Sequence, residues 1–117
     1  MRRTVVFYRT FSGCPFKSFL DSLPGRIVKK ITWILTALEE LDGAEELFFQ
    51  KAQHRDNIRE CRVACGDAVF RILTFPHGRD MVVLWGGILL EFQDMLKEQI
   101  EQAVRYKNDF LLRKGMA

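Results

Sequence analysis

The sequence has no long uninterrupted hydrophobic run. Its longest, from Met81 to Leu90, contains two glycines and is far shorter than the roughly 20 apolar residues of a membrane-spanning helix. Two arginines precede an apolar stretch at the N-terminus, but Arg9 ends that stretch and no small-residue cleavage site follows, so we expect no signal peptide. These absences predict a cytoplasmic protein with no membrane partner.

Cysteine is also scarce, since the chain has three: Cys14, Cys61 and Cys65. An odd number without an export signal predicts reduced thiols in the cytoplasm. On a strand, Cys61 and Cys65 lie about 13 Å apart at ~3.3 Å per residue, which is too far for both to bind one zinc ion. Gly86-Gly87 lacks the spacing and the Lys-Ser/Thr ending of a phosphate-binding loop. We therefore predict neither a metal nor a cofactor.

The composition fits one globular domain. The chain has 117 residues, of which 48% are hydrophobic, enough for one core and too few for two. A single domain over residues 1–117 is predicted. The net charge of +3 permits a polyanionic partner without establishing one, because field strength depends on where the charges cluster.

The first third of the chain predicts a strand and two helices. Residues 4–9 are rich in β-formers and predict a strand. A short helix begins at Pro15, and an apolar stripe of 3.6-residue period from Ile27 to Leu41 predicts a long one. Because that helix is apolar almost all round, Trp33 is placed in the core.

The remainder predicts a sheet followed by a helix. Three strands are predicted at 58–65, 68–75 and 81–90, a further short one at 47–51, and a helix from Asp94 onward. The short connectors between the three strands favour an antiparallel meander with helices on one face. The fold class is therefore α+β.

The central hairpin has a predictable register. A two-residue Gly66-Asp67 loop pairs Cys65 with Ala68 and, three residues further out, Arg62 with Arg71. Both arginines then lie on one face of the sheet. The opposite face carries the residues expected in the core: Cys61, Val63, Cys65, Phe70 and Ile72.

Two like charges directly opposite each other in a sheet are mildly destabilising, so Arg62 and Arg71 need a compensating group. Glu60, two residues from Arg62 on the same face, is one such group. The other is an external anion, because guanidinium is well shaped to bind phosphate oxygens. The sequence leaves both alternatives open.

Further basic residues lie around this hairpin: Lys51, His54, Arg55 and Arg59. Cations beside an arginine-bearing sheet face are typical of a surface that follows a nucleic-acid backbone, although a solvated loop has the same composition. His54 is a candidate general base near neutral pH, or simply an exposed loop histidine.

The order and spacing of several short stretches resemble the phage-related, HigB-like branch of the RelE toxin superfamily. The resemblance covers nearly the whole chain, and no single stretch is diagnostic. The matching stretches are Phe19-Leu20-Asp21-Ser22-Leu23-Pro24, Arg59-Glu60-Cys61-Arg62-Val63, Phe70-Arg71-Ile72-Leu73-Thr74-Phe75, Val82-Val83-Leu84-Trp85-Gly86 and Glu101-Gln102-Ala103.

The resemblance implies a fold and an activity. The fold is a twisted, mainly antiparallel sheet of four or five strands packed on two N-terminal helices, with a C-terminal helix. The activity is that of a type II toxin, which cuts mRNA in the ribosomal A site by metal-independent 2′-hydroxyl attack on the adjacent phosphate. The implied partners are mRNA on the ribosome and a helix-turn-helix antitoxin that neutralises the toxin.

The resemblance also implies roles for particular residues. Arg71 matches an arginine that such toxins place next to the scissile phosphate, and Arg62 falls where they carry a basic residue on the preceding strand. Lys51, His54 and Arg55 occupy a loop that supplies basic or histidine residues in some HigB-like toxins.

The chain departs from the pattern after its last strand. Leu89 and Leu90 stand where such toxins usually carry two basic residues, and Ala64 replaces a lysine found in some of them. The alternative function is therefore a non-catalytic homologue that binds protein or RNA. In that case Ile88, Leu89, Leu90 and Phe92 form a protein-docking surface or the contact of a homodimer.

Overall fold

The computed structural model describes residues 3–41, 44, 55–88 and 94–115. The strand predicted at 47–51 lies outside these residues. Lys51 and His54 also lie outside them, as do Leu89 and Leu90.

The described residues form an α+β fold, as predicted. Helix α1 is the next element after the first strand and begins at a proline, which suits the first helical position because proline has no N–H to leave unpaired. A second, longer helix precedes the hairpin strands, and a third ends the described chain. The elements are β1 (Thr4–Phe7), α1 (Pro15–Asp21), α2 (Gly25–Glu40), β2 (Arg59–Cys65), β3 (Ala68–His77), β4 (Asp80–Ile88) and α3 (Asp94–Gly115).

The strands form a mixed sheet in the order β1-β4-β3-β2. Strands β2, β3 and β4 are antiparallel neighbours, as the short connectors predict. Strand β1 pairs with β4 in parallel, with Thr4 opposite Asp80. Strand β2 is therefore the edge strand next to β3 in the described sheet.

Helices cover both faces of this sheet, so the prediction of helices on one face is wrong. One core contains buried residues of α1 and α2 together with Phe70 and Ile72 of β3. The other contains Leu73 and Phe75 of the same strand together with buried residues of α3. Successive strand residues point to opposite faces, so a continuous apolar run such as 70–75 needs cover on both sides.

Trp33 is 62% exposed, so its predicted place in the core is wrong. Helix α2 buries one stripe, which includes Ile27, Ile31, Ile34 and Leu38. A helix packed on one side of a sheet buries only the residues on its inner face, and Trp33 projects from the outer face despite its apolar neighbours in sequence.

Candidate functional site

The hairpin register is confirmed residue by residue. Arg62 lies directly opposite Arg71, with Cys61 opposite Ile72 and Cys65 opposite Ala68. Cys61, Val63, Phe70 and Ile72 are buried on the face that α1 and α2 cover. The two arginines therefore share the opposite face, the one that carries α3.

Glu60 binds both arginines. Its side chain is fully buried, and its Oε2 atom lies 3.2 Å from Nε of Arg71 and accepts a hydrogen bond from Nε of Arg62. The Arg71 contact is an ion pair without hydrogen-bond alignment, because Arg71 Nε has no hydrogen-bond partner in the described structure. Of the two compensating groups that the sequence allows for Arg62 and Arg71, the Glu60 carboxylate is therefore the one seen in the structure.

The two arginines differ sharply in exposure. Arg71 is 4% exposed, and its Nη1 donates a hydrogen bond to Oε1 of Gln99 on α3. The side chain of Arg62 is 57% exposed. Arg71 is thus fixed between β2 and α3, whereas Arg62 presents its guanidinium to solvent.

An aromatic ring lies on the other side of Arg71. Gly87 of β4 pairs with Arg71, and a Cβ atom added at Gly87 would lie 2.1 Å from Cη2 of Trp85. The half-buried Trp85 indole therefore rests against the Gly87 backbone, and only a residue without a side chain fits beneath it. Across β2, β3 and β4 this face presents an exposed cation, a buried cation and an indole.

The exposed part of this face has chemical groups that suit single-stranded nucleic acid. The Arg62 guanidinium is accessible to solvent, and guanidinium groups bind phosphate oxygens through charge-assisted hydrogen bonds. An indole next to them provides a stacking surface for a base of any sequence. We name Glu60, Arg62, Arg71, Trp85 and Gln99 the arginine site.

The thiol behind the arginine site is not a nucleophile. Burial, and to a smaller extent the negative charge of Glu60, raises the pKa of Cys61 to about 12. Reactivity of cysteine depends on its thiolate form. Cys61 therefore serves as a small apolar core residue, in agreement with its predicted place.

The basic residues predicted to surround the hairpin are only partly described. Arg55 lies in a single 3₁₀ turn and pairs with Asp56 at 2.9 Å, both side chains being about half exposed. Arg59 begins β2 opposite Thr74 and is half-buried. Lys107 of α3 donates a hydrogen bond to the Asp56 carbonyl oxygen. This bond connects the turn to the helix whose Gln99 binds the Arg71 side chain.

The sequence does not predict that Gln99 and Trp85 lie near Arg71. Gln99 has no sequence signal, because its contact depends on how α3 docks. The position of Trp85 depends on a register shift between Leu73 and Thr74. Continuing the His77–Asp80 pairing without that shift places Gly86, not Gly87, opposite Arg71.

No protein-family model and no curated protein matches this chain. The described residues contain no group of three or more His, Cys, Asp or Glu side chains that could hold a metal ion. None of the helices, as far as the structure describes them, is long and apolar enough to cross a membrane.

Proposed function

We propose that this protein is the toxin of a type II toxin–antitoxin system and that it cleaves mRNA on the ribosome. One observation carries the proposal: Arg62 and Arg71 lie side by side on one sheet face next to the Trp85 ring, in a chain whose motifs resemble HigB-like toxins. The α+β architecture is compatible with that family. The proposed partners are mRNA in the ribosomal A site and a helix-turn-helix antitoxin, and the proposed compartment is the cytoplasm.

The proposed reaction needs no metal. The 2′-hydroxyl oxygen forms a bond to the adjacent phosphorus while the bond from phosphorus to the 5′-oxygen breaks. The 2′-hydroxyl loses its proton to a base, and the 5′-oxygen gains one from an acid. The products are a 2′,3′-cyclic phosphate and a 5′-hydroxyl. Negative charge builds on the phosphate in between, and positioned cations stabilise it.

The arginine site supports this chemistry through its fixed geometry. Glu60 and Gln99 hold Arg71 in place, so little reorganisation is needed when charge develops on a phosphate. Arg62 supplies an exposed guanidinium beside it. In this proposal Arg71 and Arg62 stabilise the phosphate, His54 accepts the proton, and Lys51, Arg55 and Arg59 bind the RNA.

Induction in a bacterial host tests the proposal. We expect wild-type protein to arrest growth and protein synthesis, and Arg62→Gln and Arg71→Gln each to relieve the arrest. Arg62→Gln is the safer variant, because its side chain is exposed and its loss leaves the fold intact. Arg105→Gln, an exposed cation of α3, is the matched control and arrests growth like wild type. A well-expressed, folded wild type that leaves growth unchanged overturns the proposal.

The burial of Arg71 favours a second function, a non-catalytic protein- or RNA-binding module. With 4% of its surface exposed and two protein partners, Arg71 here reinforces the sheet and leaves Arg62 and Trp85 as the binding groups. This function predicts RNA or protein binding that depends on Arg62 without RNA cleavage. Purified wild-type protein incubated with ribosome-bound mRNA separates the two functions.

A further inference from the structure

We propose that the outer face of α2 is a second RNA-binding surface. In it, the Trp33 indole stacks on an unpaired base while Arg26 and Lys29 bind neighbouring phosphates. The choice of RNA as ligand rests on the proposed function. The surface itself is observed on a different helix from the arginine site and on the other side of the sheet.

The Trp33 side chain is exposed to solvent. It is 62% exposed, although Ile31 and Ile34 beside it are buried in the core under α2. A large aromatic side chain left in solvent forgoes the free energy that its burial supplies. A single exposed hydrophobic residue is common on protein surfaces, so a ligand is inferred here from the charges that surround the ring.

The charges around Trp33 are the second observation. Arg26, Lys29 and Lys30 precede it by seven, four and three residues, which places them on the same helix face. All three are exposed. The helix has no acidic residue from Gly25 to Leu38, so this face is complementary to a polyanion.

The third observation links this face to the arginine site. Lys30 donates a hydrogen bond to the carbonyl oxygen of Ala64, a residue of the edge strand β2. Arg62 lies two residues along the same strand and on the same face as Ala64. Helix α2 therefore lies beside the β2 edge, so a single RNA strand that passed around this edge of the described sheet would contact both surfaces.

These observations favour RNA over an acidic protein segment. Base–aromatic stacking is tolerant of sequence, and cations beside the ring bind the sugar–phosphate backbone. An acidic protein segment satisfies the cations equally well but has no requirement for a flat exposed indole. The experiment includes such a segment as a competitor.

Fluorescence anisotropy with a single-stranded, 2′-O-methylated oligoribonucleotide measures this binding, because the modification prevents cleavage. We expect Trp33→Ala to weaken binding about tenfold, the size of effect typical of base–aromatic stacking, and Trp33→Phe to retain most of it. Replacing both Arg26 and Lys29 with Gln should reduce the slope of log K against log salt by about 1.4, at ~0.7 per phosphate contact for single strands.

Two α3 variants serve as matched controls. Leu112→Ala removes a hydrophobic residue that is 64% exposed, and Arg105→Gln removes an exposed cation. Both should bind the oligonucleotide like wild type. The proposal is overturned if Trp33→Ala binds within twofold of wild type. It is also overturned if poly-glutamate binds wild type in the same Trp33-dependent way.

Binding through Trp33 and growth arrest can succeed or fail independently of each other. Arg62→Gln, which leaves the fold intact, should lose growth arrest yet keep Trp33-dependent binding. A wild type that binds through Trp33 but never arrests growth contradicts the toxin function and leaves the α2 surface standing. Growth arrest without any Trp33 dependence of binding contradicts the α2 surface alone.

Discussion

Glu60 determines the local energetics of the arginine site. It is a fully buried carboxylate with an ion pair to each of two arginines. Removing a carboxylate from water is costly, and only close opposite charges offset that cost. The same carboxylate offsets the repulsion between Arg62 and Arg71 across the hairpin.

Replacing Glu60 with Gln should destabilise the protein far more than replacing Arg62. Glu60→Gln leaves the buried Arg71 without a countercharge, and we expect the free energy of unfolding to fall by about 3 kcal/mol. Arg62→Gln removes the exposed arginine and leaves Glu60 paired with Arg71, so we expect a smaller loss of about 1 kcal/mol. Urea denaturation of both variants measures the difference. Equal losses for the two would show that Arg71 does not depend on Glu60.

Cys61 should be chemically inert in the folded protein. Because burial and Glu60 raise its pKa to about 12, only about one thiol in ten thousand is ionised at pH 8, and the thiolate is the reactive form. Reaction with a disulfide reagent followed by peptide mapping should label the half-buried Cys65 well before Cys61. Urea-unfolded protein is the control, in which both react. Equal labelling in the folded state would contradict the burial of Cys61.

At the residue scale the sequence was most informative where local geometry decides the outcome. The Gly66-Asp67 loop sets the Arg62–Arg71 pairing, and Glu60 was identified as one of two compensating groups. The prediction for Trp33 is wrong because apolar residues all round a helix do not reveal which side faces the sheet. Gln99 could not be foreseen, since its contact with Arg71 arises from the docking of α3.

At the scale of elements, β4 depends on two glycines with different neighbours. A Cβ atom at Gly86 would lie 2.5 Å from Cδ2 of Phe19 and 2.9 Å from Cε1 of Phe16, so α1 packs closely on this part of β4. Gly87 accommodates the Trp85 ring on the other face. The two glycines thus let a helix approach one face and an indole the other.

Gly86→Ala should destabilise the protein by about 2 kcal/mol, because the added methyl group forces apart a closely packed core. Gly25→Ala is the matched control, since a Cβ atom at Gly25 meets nothing within 4 Å. We expect the control to be neutral or slightly stabilising. Thermal unfolding of both variants tests this contrast. A Gly86→Ala protein as stable as Gly25→Ala would contradict the close approach of α1.

Tyr8 joins the end of β1 to α3. Its hydroxyl donates a hydrogen bond to Oδ2 of Asp109 at 2.5 Å, and Arg113 pairs with the same carboxylate at 2.5 Å. Burial, then the hydrogen bond and the charge of Asp109, raise the pKa of Tyr8 to about 12.

Tyr8→Phe should therefore have an effect that depends on pH. Near neutral pH we expect a loss of about 1.5 kcal/mol, typical of a hydrogen bond to a charged group. Unfolded tyrosine ionises near pH 10 and folded Tyr8 near 12, so the Tyr8 contribution is full below about pH 10 and is lost as pH rises to about 12. Denaturation across this range should show the difference between wild type and variant shrinking. A constant difference would contradict the raised pKa.

The elements themselves were largely predictable, but their arrangement less so. Apolar periodicity placed each described helix and strand close to its observed position. The shift between Leu73 and Thr74 and the parallel pairing of β1 with β4 depend on contacts distant in sequence. The prediction that α3 shares a sheet face with α1 and α2 is wrong. Periodicity shows that a helix has an apolar side but not which sheet face covers it.

At the scale of the whole molecule, the sheet separates two cores and positions two cationic surfaces. The arginine site lies on the α3 face, and the outer side of α2 lies beyond the opposite face, with the β2 edge between them. The net charge of the whole chain is only +3 and does not show that basic residues cluster on these two surfaces. Charge at this scale was not readable from composition, because it depends on which side chains the fold leaves exposed.

The most direct test of the central claim is cleavage of ribosome-bound mRNA by the purified protein. We expect one fragment with a 5′-hydroxyl end and the other with a 2′,3′-cyclic phosphate. We also expect that a 2′-O-methyl group at the mapped scissile nucleotide blocks the reaction, and that Arg62→Gln slows it at least tenfold while Arg105→Gln does not. An mRNA that stays intact with folded wild-type protein, or one that is cut despite the 2′-O-methyl group, would contradict the claim.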